Sequence, residues 1–140
     1  MNPIIFAILA AVAFGLWTVF QKLASSHINQ VFGAIIISLT AVSLGSIILF
    51  TRLKDIKLFT DTKGIYFLII AGVSAFFIDF LALHAYSKGL PVSIGGPVII
   101  GGSIVIAIII GFFMGDTITA LKALGLCLIV AGTVILVAIS

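Results

Sequence analysis

The sequence predicts an all-α fold: a polytopic membrane protein of five transmembrane helices. Three observations carry this. Hydrophobic residues make up 63% of the 140 residues and charged residues only 8%, whereas a soluble domain is about half apolar and about a quarter charged. The apolar residues gather in five runs, each close to the roughly 20 residues that cross a hydrocarbon core about 30 Å thick. No run alternates polar and apolar residues as a barrel strand does. Lipid offers no partner to an exposed backbone N–H or C=O, so the runs must be helices.

The spans lie at about residues 3–22, 30–50, 64–87, 91–114 and 118–139. The first contains Ala11-Val12-Ala13, a passable signal-peptide cleavage site. No basic residue precedes it, however, and the apolar run continues to Phe20, so a transmembrane helix is expected. The second carries Ser38, Ala41 and Gly45 on one face, a small-residue stripe that favours close helix approach. Between the third and fourth, Gly89 suits a helix C′ position and Pro91 the first turn of the next helix. The fourth holds Gly95-Gly96-Pro97 and Gly101-Gly102. Pro97 lacks an N–H and is expected to kink the helix. Asp116 is placed as an N-cap for the fifth span, and Gly125, Leu128 and Gly132 share a face there that reads as a helix–helix seam.

Charge sets an expected orientation. Seven basic residues face four acids. Arg52, Lys54, Lys57, Lys63 and Lys122 fall on the side of the N-terminus, and only Lys22 and Lys88 on the other. The positive-inside rule then puts the N-terminus and the long loop in the cytoplasm and the C-terminus outside, in a multi-pass protein of the cell membrane. The basic excess reads as a topology signal beside anionic headgroups; nucleic acid is not an expected partner.

Chemistry-bearing residues are few. Cys127 is the only cysteine, and no Cys/His cluster has metal spacing, so no metal is expected. No nucleophile–base arrangement, carboxylate pair or phosphate loop is present. The chain is not expected to be an enzyme, and no cofactor is implied.

Asp79 is the most informative residue, lying near the middle of the third span. A carboxylate at that depth costs several kcal/mol in lipid and should face the bundle interior or a wet cavity. At 100° per residue, Gly72, Ala75, Asp79, Ala82 and Tyr86 share one face. Asp79 reads either as a substrate or proton site or as a structural carboxylate bonded to a neighbouring helix. No lysine or arginine lies at similar depth, so a permanent salt bridge within the chain is not expected. Phe14, Thr18 and Gln21 share a face of the first helix, and Trp17 adjoins it, as a stacking platform for substrate or as an interfacial anchor. Gly96 and Pro97 interrupt an apolar span, a pattern that points to transporter sites or to tight packing. The candidate substrate- or proton-binding set is therefore Asp79, Tyr86, Trp17, Thr18, Gln21, Gly96 and Pro97. His84, five residues beyond Asp79, points elsewhere.

One stretch has a familiar pattern. Pro91-Val92-Ser93 opens a span, Gly115-Asp116 ends it, and Leu121-Lys122-Ala123-Leu124-Gly125-Leu126-Cys127-Leu128-Ile129-Val130-Ala131-Gly132 follows. This resembles the EamA-type domain of the drug/metabolite transporter superfamily. Phe14-Gly15-Leu16-Trp17 through Gln21-Lys22-Leu23-Ala24 is similar to the family's opening helix, and Ala82 through Gly89 to the end of its third. The likeness spans residues 1–140 as a single domain. Asp116 stands where the family usually has glutamate, and most members have two such domains in tandem. The related small multidrug transporters carry a glutamate in their first helix, and this chain has no acid there.

The resemblance implies a transporter of small molecules, a metabolite or an amphipathic compound, by export or exchange. One five-helix unit would be half of an inverted pair, so a homodimer or a paired half-transporter is expected, with lipid bilayer and small-molecule substrate as the other partners. The alternatives are a non-transporting membrane subunit and a component of a lipid-linked-sugar flippase.

Overall fold

The computed structural model describes residues 3–52, 63–117 and 119–139. The loop carrying Lys54, Asp55, Lys57 and Asp61 lies outside the described residues. Five helices follow one another: α1 Pro3–Ser25, α2 Gln30–Arg52, α3 Lys63–Ser87, α4 Val92–Phe113 and α5 Ala120–Ala138. All five are long and apolar enough to cross a membrane, and no strand occurs among the described residues. The five spans expected from the sequence are thus present, with α1 running three residues further, to Ser25. Large apolar side chains such as Phe6, Phe67 and Leu68 are exposed along them. In water that surface would be untenable; in a bilayer it is the lipid-facing coat.

The chain divides into two compact units, one comprising residues 1–20 and 89–140, the other residues 21–88. In the first unit α4 and α5 pack as an antiparallel hairpin. The chain leaves α4 through Met114 and turns at Gly115, whose φ of +94° is the left-handed value that glycine adopts without strain. The N–H of Asp116 then donates to the carbonyl of Gly111 at 2.9 Å. The Asp116 side chain lies back over the end of α4, its Oδ2 only 2.7 Å from where a Cβ on Gly111 would sit. Asp116 therefore does not cap α5. Thr119 does so, with extended backbone and a side chain that accepts from the N–H of Lys122. The sequence reading placed the cap three residues early, at the more acidic of two suitable side chains.

The seam of this hairpin also differs from expectation. α4 closes on α5 at Gly101, where an added Cβ would collide with Thr133 Oγ1. The face of Gly125, Leu128 and Gly132 is not that seam: Leu128 is 66% exposed and nothing lies within 4 Å of a Cβ at either glycine. Pro97 sits inside one continuous helix from Val92 to Phe113. Pro97 falls in the second turn, where the missing N–H affects only the carbonyl of Ser93 and the rest of the ladder continues. Pro91 is the N-cap residue itself, one position before the first turn.

In the second unit α2 packs against α3. Asn29 opens α2 by accepting from the N–H groups of Val31 and Phe32, a standard cap. The close approach comes at Gly33 and Ala34, where Leu83 of α3 is 1% exposed. The stripe of Ser38, Ala41 and Gly45 stays exposed, with nothing within 4 Å of a Cβ at Gly45. α3 ends with Gly89 at φ +100°, in the expected C′ role.

A Cβ on Gly33 would stand 2.8 Å from Leu83 Cδ1 and 3.3 Å from Ile28 Cγ2. Leu83 is enclosed and has little room to retreat. Gly33→Ala is expected to lower stability by about 1–3 kcal/mol, the usual range for overpacking, read as a lower thermal midpoint in detergent. An unchanged midpoint would show that Leu83 repacks freely.

Candidate functional site

The second unit gathers three buried polar side chains around α3. Asp79 is 6% exposed, Gln21 3% and Tyr86 1%. The α3 face that carries them is buried only over its later half, because Gly72 and Ala75 are exposed. Gln21, at the last turns of α1, donates from Nε2 to Asp79 Oδ1 at 2.8 Å. This gives one carboxylate oxygen a neutral donor from another helix, the kind of partner that polar groups in membrane interiors require. From the next residue of α1, Lys22 Nζ donates to the carbonyl of Tyr86 at 3.0 Å. That carbonyl lies in the last turn of α3, where helix carbonyls lack partners and a cation is favourable. Among the described residues, two buried side-chain atoms have no hydrogen-bond partner: Gln21 Oε1 and the Tyr86 hydroxyl.

The first unit holds a different set. Thr18, Gly96, Pro97, Gly101, Ile129 and Thr133 line a cavity of about 440 Å³. The Thr18 hydroxyl donates to the carbonyl of Phe14 at 2.9 Å, and the Thr133 hydroxyl to that of Ile129 at 2.9 Å. Both hydroxyls are therefore committed within their own helices. Thr18 presents its methyl toward Gly96, with Cγ2 3.6 Å from a Cβ built there. The wall is apolar in character despite its two threonines, and suits the hydrocarbon part of an amphipathic molecule.

Of the seven candidate residues, then, Asp79, Gln21 and Tyr86 fall in the second unit, with Asp79 bonded to Gln21. Thr18, Gly96 and Pro97 come together in the first. Trp17 is half-buried against Phe14, ring centroids 4.8 Å apart, and does not line that cavity. His84 is exposed beside Phe80 and is not joined to Asp79 by any described bond. The sequence reading singled out Gln21 and Asp79 separately and missed that they pair. The available signal was that each is a lone polar side chain inside an apolar span. It also missed Lys22, which had counted only as a topology charge.

The orphaned Tyr86 hydroxyl gives a direct test. A buried hydroxyl without a partner costs about 1–3 kcal/mol. Tyr86→Phe is expected to leave the thermal midpoint unchanged or raise it. A clear fall would reveal a partner for the hydroxyl.

No curated protein and no solved structure matched this chain. Residues 1–138 match the family described as EamA-like transporter family. That match covers all five helices. The chain belongs to the EamA-like transporter family, and it is a multi-pass membrane transporter.

Proposed function

We propose that this protein moves a small molecule, a metabolite or an amphipathic compound, across the cell membrane by export or exchange, with Asp79 as the group that couples transport to protons or contacts the substrate. The observation that carries this is Asp79 itself: a carboxylate buried in an apolar helix and bonded to a neutral amide. A purely structural role would be filled as well by a neutral side chain of similar shape, without the cost of desolvating a charge. A carboxylate can instead hold either a proton or a cationic substrate, because both compete for one negative charge. Within the first unit, the apolar cavity lined by Thr18, Gly96 and Pro97 supports an amphipathic substrate.

In this reading the chain is half of a transporter and works as an inverted pair, either as a homodimer or with a separate partner chain. The absence of any buried residue among those described in α5 supports a further partner surface there. Flux in proteoliposomes, with and without an imposed proton gradient, tests the function. Gradient-dependent movement of a metabolite or amphipathic cation is the expected result. If the pure protein moves none, the readings as a non-transporting subunit or flippase component take its place.

The proposed orientation has the N-terminus in the cytoplasm. Reporters fused at Thr60 and Ser140 are expected to report opposite sides, with Thr60 cytoplasmic. Reporters on the same side would contradict a fixed five-span insertion, and equal signals on both sides at each position would point to dual insertion and a homodimer.

A further inference from the structure

At the turn of the α4–α5 hairpin, the first unit carries an acid and a base that share a cavity without pairing. Asp116, Lys122, Ile108, Leu126 and Ile129 line this cavity, whose volume is about 580 Å³. It lies toward the other end of the hairpin from the cavity at Thr18, Gly96 and Pro97. Asp116 is held in place by α4. Its N–H donates to the carbonyl of Gly111 at 2.9 Å, and the missing Cβ of Gly111 leaves room for its carboxylate. Among the described residues no donor bonds that carboxylate. Lys122 Nζ donates to the carbonyl of Thr117 at 3.2 Å, and among the described residues it forms no ion pair with Asp116. An ammonium has three N–H donors, so Lys122 keeps donors for a ligand.

The cavity changes character with depth. Asp116 lies in the turn and Lys122 in the first turn of α5. At roughly 1.5 Å per residue, Ile108 lies about 8 Å along α4 from Phe113, and Leu126 and Ile129 about 9 and about 14 Å along α5 from Ala120. In a bilayer, helix ends meet headgroups and helix interiors meet acyl chains. The charged end and the apolar wall thus follow the order of a phospholipid.

We propose that this cavity binds a zwitterionic phospholipid with a primary ammonium: the phosphate on Lys122, the ammonium on Asp116, and an acyl chain along Ile108, Leu126 and Ile129. Charge complementarity selects this class. An anionic headgroup would satisfy Lys122 but be repelled by Asp116. A quaternary ammonium has no N–H to give the carboxylate, whereas a primary ammonium forms a charge-assisted bond. A soluble zwitterion would leave the apolar wall uncovered. The inference is independent of the role proposed for Asp79.

Native mass spectrometry of the purified whole chain tests it. The chain is offered phosphatidylethanolamine, phosphatidylcholine and phosphatidylglycerol with the same acyl chains at equal concentration. Retention of the ethanolamine lipid is expected to exceed that of the other two by at least about threefold, the scale of one exposed charge pair. Asp116→Asn and Lys122→Gln should each abolish that preference. Both side chains are exposed, and Thr119 rather than Asp116 caps α5, so both variants are expected to fold. The comparison of lipids on the unaltered chain needs no variant. Equal retention of the three lipids would overturn the proposal, as would a preference that both variants keep. Displacement of the lipid by an equal concentration of glycerophosphoethanolamine would overturn it in favour of a soluble zwitterion. A dimer that retains no lipid would assign the cavity to a second copy of the chain instead.

Discussion

Asp79→Asn is expected to yield a folded protein whose transport no longer responds to pH. Asparagine keeps the shape of aspartate and can still accept from Gln21 Nε2 through its carbonyl oxygen, so the bond at 2.8 Å survives. The stability change should therefore stay within about 1 kcal/mol, with a gain as the favoured direction, since a neutral hydrogen bond is worth roughly that much. What asparagine lacks is a titrating proton and a negative charge. Transport at the most active pH is expected to fall at least about tenfold, equivalent to roughly 1.4 kcal/mol, and what remains should be flat with pH. Asp79→Leu separates this from a packing effect. It strands the Gln21 amide in an apolar site, at a cost of about 1–3 kcal/mol, and should lower the thermal midpoint where Asp79→Asn does not. A purely structural carboxylate makes the reverse forecast: Asp79→Asn destabilises, and pH-dependent flux persists.

The second large effect is expected at Gly101. A Cβ there would collide with Thr133 Oγ1 and stand 3.3 Å from Thr133 Cβ. Both helices must then move apart, because Thr133 has a branched Cβ that cannot swing clear. Gly101→Val is expected to cost about 1–3 kcal/mol or more and to lower the thermal midpoint accordingly. The clash is with one named side chain, so it should be coupled to that side chain. Thr133→Ala removes Oγ1 and sacrifices only a bond within α5. Combined with Gly101→Ala it should recover much of the loss, giving a clear interaction term in a double-mutant cycle. Strict additivity would show that the helices separate for another reason. Gly102 provides the control: nothing lies within 4 Å of a Cβ there, and Gly102→Ala should be close to neutral.

These two sites show what the sequence made legible. The five spans were plain, because the length of an apolar run and the thickness of a bilayer are the same kind of quantity and can be compared directly. Asp79 stood out because a charge in lipid is costly wherever its neighbours lie. Which small residues make a seam was not legible. Gly33, Gly45, Gly101, Gly125 and Gly132 all sit in apolar helices, and only Gly33 and Gly101 meet another side chain closely. Helical periodicity assigns residues to faces but does not say which face meets which helix, and in lipid an outward face is as apolar as an inward one. The cap of α5 failed for a related reason. Asp116 and Thr119 are both good caps, and the choice was made by the turn at Gly115, which lays Asp116 back on α4. The pairing of Gln21 with Asp79 spans 58 positions, and no local pattern specifies a contact of that separation.

The short link between α4 and α5 has a consequence for how the protein is made. Its closure is local: the turn at Gly115, the Thr119 cap and the Gly101–Thr133 contact all lie within a few dozen consecutive residues. Contacts of short sequence separation form early and need little chain closure. As the nascent chain enters the bilayer, α4 would wait for α5 with its glycine-rich face uncovered, and the two would then settle as one hairpin. The glycines at that face thus bear on biogenesis as well as on the finished molecule. A bulky substitution at Gly101 should show itself first as lower yield in the membrane, before any transport is measured.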